Sequence, residues 1–288
     1  MARREARKES VVSANLDNWH PKTELGRQVK AKEILDIDEI LDSGRTILEP
    51  EIIDILLPNL EADLLLIGQA KGKFGGGQRR TFRQTQKKTM EGNKPKFSCL
   101  VVIGDKNGHV GFGLGKAKET MPAREKAVRK AKLNLFKIRR GTGSWEDASS
   151  EPHSIPFSVT GKTGSVLIKL IPAPKGKGLV VEKEAAKALV LAGIKNVWSK
   201  TYGQTKNKVN FIRALELALR NLSTTKVPDK MVEKLAIADG SVKKSEDASV
   251  DSSEEAAAAS SASEPKRAER RPVRRVRGPK KETKEKKE

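Results

Sequence analysis

Between Phe97 and Gly104 the chain reads FSCLVVIG, an apolar run long enough for a strand and too short for a helix. Phe97, Cys99, Val101 and Ile103 fall on one face of that strand. DKNG follows, and its Asn107-Gly108 pair offers the positive backbone angles of a tight reversal, so HVGFGLG is read as the returning strand. AKETMPAREKAVRKAKLNLFKIRR then predicts one amphipathic helix. Met121, Val128, Ala131, Leu135 and Ile138 form its apolar stripe; Arg124, Lys126, Arg129, Lys130 and Lys137 cover much of the rest, and Arg139 and Arg140 end it. Upstream, Leu64 to Ile67 make a short apolar strand, and the polar, basic stretch KGKFGGGQRRTFRQTQKKTMEGNKPK is read as a long loop. The order over 63–140 is strand, loop, strand, turn, strand, helix.

A second pattern occupies 151–225. HSIPFSVT and SVLIKLIP are strands joined by GKTG, and PAPKGKG is a loop stiffened by Pro172 and Pro174. EKEAAKALVLAG is a helix that Gly193 stops, IKNVWSKTYG is a strand, and NKVNFIRALELALRNL is a helix capped by Asn207. Residues 1–62 carry helical spacing only in short pieces: Ile37, Ile40 and Leu41, then Ile52, Ile53, Leu56 and Leu57, with Pro58 as the stop. These make an arm without a core of its own. Over 226–288 the composition shifts, and after 240 it falls to Ser, Ala, Glu, Lys, Arg and Pro, too little apolar surface to offset ordering. The fold class is α+β: a helical arm, two folded units and a tail disordered in isolation.

Charge adds a partner to this outline. The 288 residues carry a formal net charge of +21, with 33% charged and only 4% aromatic residues. A field of that sign and size attracts polyanions, of which nucleic acid is the commonest. No run approaches the ~20 apolar residues of a spanning helix, and MARREARKES lacks the apolar middle of a secretory signal, so a cytoplasmic protein with no membrane partner is expected. Cys99 is the single cysteine, which excludes an internal disulfide and a cysteine-based zinc cluster.

The glycines do not match a nucleotide loop. Gly111, Gly113 and Gly115 give G-x-G-x-G where a dinucleotide fingerprint needs G-x-G-x-x-G. GKT at 161–163 has the ending of a phosphate loop, but Pro156 stands where its leading glycine belongs. Alternation places the three glycines on one strand face opposite Val110, Phe112 and Leu114. A face of bare backbone marks a close approach, either by the protein's own helix or by an RNA backbone; the residues alone leave both open. His20, His109 and His153 lie far apart and are read as turn or surface residues. No catalytic set, cofactor site or metal site is expected.

Position of the charge matters more than its total. Lys71, Lys73, Arg79, Arg80, Arg83, Lys87, Lys88, Lys94 and Lys96 fall in one stretch that has Glu91 as its only acid and Gly75, Gly76 and Gly77 inside it. A basic, glycine-rich excursion between strands suits phosphate contact with a folded RNA. Phe74 and Phe82 either stack on bases or anchor the loop. Lys175 and Lys177 mark a second basic loop, and Lys200 stands between Trp198 and Tyr202, two aromatics that are either core or base-stacking. The candidate RNA-contacting set is Lys71, Lys73, Gly75, Gly76, Gly77, Arg79, Arg80, Arg83, Lys87, Lys88, Gly111, Gly113, Lys116, Arg139, Arg140, Lys175, Lys177 and Lys200.

CLVVIGDKNGHVGFGLGKAKE, AKLNLFKIRRGTGSWE, EPHSIPFSVTGKTGSVLIKLIPAPKGKGLV and LAGIKNVWSKTYGQTKNKVNF together resemble, in order, the family of the fifth protein of the small ribosomal subunit. RRGTGSWE, EPHSIPF and the leading NWHPKTELGRQV resemble its archaeal form. The resemblance implies a double-stranded-RNA-binding-like domain, a small antiparallel sheet backed by a helix, followed by a second α/β domain. It further implies a non-enzymatic protein on the body of the small subunit, near the decoding region and the messenger entry path. There it would bind ribosomal RNA, touch the fourth and eighth proteins of that subunit and influence decoding accuracy. The loop from Lys71 to Arg83 takes the place of the family's glycine- and arginine-rich RNA loop; the tail after 240 has no counterpart.

Overall fold

A computed structural model describes residues 19–70, 77–143 and 151–241. Lys71, Lys73, Phe74, Gly75, Gly76 and the tail beyond 241, with its expected disorder, lie outside the described residues. The arm forms three short helices, α1 (Glu24–Lys30), α2 (Ile37–Asp42) and α3 (Glu51–Leu56). Thr23 caps α1, its hydroxyl accepting from the Gly26 amide at 3.1 Å. Ile37, Ile40, Ile52 and Ile53 are buried, not in a core of the arm but against the sheet that follows.

That sheet comprises β1 (Glu61–Leu65), β2 (Arg83–Thr89), β3 (Gly92–Gly104), β4 (His109–Ala117) and, after helix α4 (Thr120–Leu133), β5 (Leu135–Lys137). All its pairings are antiparallel; the order is β1-β3-β4-β5, with β2 on the outer half of β3. β6 (Arg139–Arg140) follows. The second sheet takes β7 (Val159–Thr163), β8 (Val166–Pro172), β9 (Leu179–Val180) and, after α5 (Lys183–Leu191), β10 (Val197–Tyr202), in the order β7-β8-β10-β9. Helices α6 (Lys208–Thr224) and α7 (Asp229–Lys234) come next. β11 (Ala238–Asp239) then returns to pair with β6.

The inner half of β3 is buried on both faces. Cys99, Val101 and Ile103 pack with α4 and the arm, while Leu100 and Val102 join a core shared with Ile168, Leu189, Phe211 and Leu215 of the second unit. Polar contacts cross the same boundary: the Lys106 amide donates to the Leu191 carbonyl at 2.8 Å and the Leu66 amide to buried Glu184 at 2.8 Å. Burial also pushes the Cys99 thiol pKa up, so this cysteine is a core residue and not a reactive one.

The glycine question has a structural answer. Gly111, Gly113 and Gly115 face Ala131, Ala127 and Ala123 of α4. A Cβ built on any of them would fall far inside contact distance of a helix carbonyl oxygen. The bare strand face is where α4 lies directly on the backbone. Gly161 of β7 meets Ala214 and Ala218 of α6 in the same way.

Several expectations change. The predicted long helix stops at Leu133, because Leu135, Phe136 and Ile138 fill the core as strand and connecting residues. The spacing of Val128, Ala131, Leu135 and Ile138 imitates a helical stripe; the buried stripe is Ala123, Ala127 and Ala131, and Met121 is exposed. Arg139 and Arg140 therefore sit on a strand, not at a helix end. The stretch read as a loop is in good part the β2–β3 hairpin. Positive φ in the DKNG turn falls at Lys106 and Gly108, since the Asp105 carboxylate accepts from the Asn107 and His109 amides and sets the turn from its first residue. HSIPF precedes its strand, which starts at Val159, and Ser154 only bridges to Gly141.

His109, expected in a turn or at the surface, is fully buried between two carboxylates. Nδ1 is 2.7 Å from Asp105 and Nε2 is 2.8 Å from Asp38 of α2. Burial alone would lower its pKa, but the hydrogen bonds and charges of Asp105 and Asp38 outweigh it and hold the imidazolium up at about 9. Asp38 also accepts from the amide and hydroxyl of Ser241, so arm, turn and C-terminal segment meet at one charged knot.

Two outcomes follow. Gly113→Ala should destabilise the fold by about 1–3 kcal/mol through overpacking, read by denaturant unfolding; a neutral result would show that α4 can withdraw freely. A His pKa raised from 6.5 to about 9 contributes stability that is complete below pH 6.5 and lost as pH rises toward 9. The thermal midpoint should fall across that window in the wild type and stay flat, at a lower value, in His109→Gln. Parallel profiles would refute the charged knot.

Candidate nucleic-acid interface

Pairing in the β2–β3 hairpin sorts its side chains by face. Arg83 pairs with Ser98, Thr85 with Lys96 and Lys87 with Lys94, so Arg83, Lys87, Lys94 and Lys96 share one face, joined by Lys116, which pairs with Ser98 across β4. The opposite face carries Gln84, Gln86, Asn93, Pro95 and Phe97, with Lys88 as its single cation. Lys94 is tied to Glu91, but Arg83, Lys87, Lys96 and Lys116 have no ion-pair partner among the described residues. Like charges this close repel, and they persist on an exposed ribbon only because water and counterions screen them. An incoming phosphate chain would displace those counterions.

The cationic face does not end at the hairpin. Ser98, Leu100 and Leu114 continue it toward α6, and a cleft of about 460 Å³ opens there, lined by Arg83, Lys96, Lys116, Asn207, Asn210 and Arg213. Asn207 holds the N-cap position of α6 but makes no side-chain capping bond, unlike Glu182, which caps α5 through two amides. The N-terminal turn of this 17-residue helix, with its positive dipole end, thus lines a basic cleft. A neighbouring hollow of about 790 Å³ carries Gly77, Arg79, Arg83, Lys206 and Lys208.

The described part of the basic excursion enters this arrangement from its neck. The Gly68 amide donates to the Arg80 carbonyl and the Arg80 amide to the Gln69 carbonyl, and Ala70 bridges Arg79, so the residues flanking segment 71–76 are drawn together. Phe82 packs partly buried against the arm-side core, an anchor for that neck. Gly77, Arg80, Arg83, Lys87, Lys88 and Lys116 are exposed and Arg79 half-buried.

Other candidates are placed elsewhere. Gly111 and Gly113 are buried under α4 and present no face to a ligand. Arg139 is spent on Asp239, at 2.6 and 3.2 Å, and on the Thr225 carbonyl at 2.8 Å. Arg140 is buried and donates to Asn107 at 3.0 Å and to the Gly240 carbonyl at 3.1 Å. These two arginines hold the C-terminal segment rather than a phosphate. Lys175 pairs with Glu151 at 3.0 Å on an exposed loop beside Lys177, and Lys200 lies on the outer face of β10, away from the cleft. Sequence reasoning missed Asn210 and Arg213. Nothing along the chain marks them, because their nearness to the hairpin exists only once α6 is docked. No cluster of His, Cys, Asp and Glu able to hold a metal occurs among the described residues, and none of their helices is long and apolar enough to cross a membrane.

Comparison with known proteins identifies the family of both folded units. Residues 79–139 match the family described as ribosomal protein S5, N-terminal domain, and residues 161–234 match ribosomal protein S5, C-terminal domain. The small ribosomal subunit protein uS5 of Nanoarchaeum equitans is 47% identical over 228 residues, 79% of this chain and 98% of that protein. The protein of the same name from Methanocaldococcus jannaschii is 46% identical over the same shares. That from Pyrobaculum aerophilum is 48% identical over 74% of this chain and 89% of its own.

If the one-sided face is the contact surface, replacing Arg83, Lys87 and Lys96 together by alanine should weaken binding to a structured RNA. It should also reduce the slope of log affinity against log salt by about 2 to 3, roughly 0.7 to 0.9 for each phosphate no longer neutralised. Lys88→Ala on the other face should change that slope little. Equal effects from both faces, measured by filter binding over a salt series, would sink the assignment.

Proposed function

The chain belongs to the ribosomal protein S5 family, and on that premise we propose that it is a structural constituent of the small ribosomal subunit that binds ribosomal RNA. In this reading it lies near the decoding region and the messenger entry path, contributes to translational accuracy and works on ribosomes in the cytoplasm. The fourth and eighth proteins of the subunit are its neighbours. It carries out no catalytic step and takes no cofactor.

The observation that carries the reading is the segregation of cations onto one face of the β2–β3 hairpin, all but Lys94 without an ion-pair partner among the described residues, continuous with the basic cleft at the α6 N-terminus. Charge, exposure and shape there suit a folded RNA, whose affinity comes from phosphates and whose selectivity comes from the surface it must fit. The RNA-contacting residues are then Lys71, Lys73, Gly75, Gly76, Gly77, Arg79, Arg80, Arg83, Lys87 and Lys116, joined by the cleft residues Asn210 and Arg213, while Lys88, on the opposite face of the hairpin, drops out of the set. Lys175, Lys177 and Lys200 are further contacts of the second unit. Residues 63–140 and 151–225 act as the two RNA-holding units, braced by the described parts of the arm and of the C-terminal extension, residues 19–62 and 226–241.

Sedimentation of a cell lysate tests this. The chain should co-migrate with small subunits, and replacing Arg79, Arg80 and Arg83 together by glutamate should shift it to the light fractions with its thermal midpoint unchanged. Wild-type chain found free while complete small subunits sediment without it would refute the proposal.

A further inference from the structure

The second sheet has one covered and one open face. Val166, Ile168, Leu170 and Val197 point inward and are fully buried with α6. Their neighbours point outward, and no described element covers them with comparable completeness: Trp198, Tyr202 and Val180 are 39%, 56% and 56% exposed. Register makes this face orderly. Lys200 stands opposite Lys169, at the centre; Trp198 lies between Ile171 and Val180 at one end, and Tyr202 lies beside Leu167, itself opposite Lys162, at the other. Trp198 and Tyr202 are four residues apart on one strand, about 13 Å at roughly 3.3 Å per residue.

This chemistry points to one class of partner. Two exposed aromatic rings on a sheet cost little to order on binding and offer flat apolar surfaces. Lys162, Lys169 and Lys200 lie among them with no ion-pair partner among the described residues, and no acid shares the face. Lysine is depleted from the cores of protein–protein interfaces, so a row of lysines between the rings argues against a protein lid. Phosphates beside stackable bases match it, and only unpaired nucleotides expose base faces to a ring, since an A-form duplex keeps its bases stacked inside.

We propose that the open face of the β7-β8-β10-β9 sheet is a second RNA site that takes a single-stranded segment, with bases on Trp198 and Tyr202 and the backbone along Lys169, Lys200 and Lys162. The proposal rests on the ribosomal-RNA reading and adds the kind of RNA and where it lies, on a surface separate from the hairpin and its cleft.

The test uses the full chain, with an unpaired oligoadenylate of about ten nucleotides and a blunt RNA duplex as probes. Trp198→Ala and Tyr202→Ala should each weaken oligoadenylate binding by about 5- to 150-fold, the range for losing one stacked base. Lys200→Glu should weaken it as well, while duplex binding holds in all three variants. Because the replaced side chains are exposed, circular dichroism and thermal midpoint should match the wild type. Tryptophan fluorescence of the wild type should be quenched by oligoadenylate, and that quench should shrink in Trp198→Phe. If the aromatic variants keep wild-type affinity for the single strand while the wild type still binds duplex, this inference falls and the ribosomal-RNA reading stands. If those variants instead lose a small-subunit protein and no RNA, the face is a protein-docking surface and the inference is overturned. A wild-type chain that bound neither probe would overturn both readings.

Discussion

Alternation along β3 is the constraint on which the architecture depends. One strand of period two supplies Cys99, Val101 and Ile103 to the core beneath α4 and Leu100 and Val102 to the core shared with the second unit. The same alternation continues outward into Lys96 and Lys94, where it decides which way the hairpin's cations point. Shifting the register by one residue would exchange both cores and turn the cationic face away from the α6 cleft. Core packing and the orientation of the candidate RNA surface are thus one fact of register seen at two ends of a strand.

Close backbone contact serves this strand pair in an economical way. Gly111, Gly113 and Gly115 against Ala131, Ala127 and Ala123 let α4 lie on the sheet with no intervening side chains. The apolar area gained per residue is small, and the arm helices compensate by laying Ile37, Ile40, Ile52 and Ile53 on the same core. What keeps the arm in place is partly electrostatic: Asp38 reaches His109 and Ser241, and Lys132 reaches Asp54 of α3 at 2.6 Å. Buried charges are costly unless matched, which gives this knot its directionality.

Much of the outline was legible along the chain. FSCLVVIG and HVGFGLG, the stop at Gly193 and the α6 helix follow from local periodicity, since each has apolar residues spaced for its own burial. The β2 strand was not legible, because RQTQKKT is exposed on both faces and lacks the apolar signal that marks a strand; its order comes from pairing with β3. The α4 boundary was misread for the opposite reason, a coincidence of apolar spacing across a helix, a strand and the residue that follows it. Basic residues were recognised as candidates by density, yet density could not separate Arg83, which is exposed and has no ion-pair partner among the described residues, from Arg140, which is buried and bonded.

Composition and order determined the α+β class and pointed to a polyanionic partner, because both rest on residue types and spacings that no folding can change. Tertiary structure decided which cations are available, that the glycines serve α4, that His109 is a buried ion, and that Arg213 stands beside the hairpin. Those are matters of distance between segments far apart in the chain, set by how the two cores close on β3, and distance of that kind is not written in any local pattern.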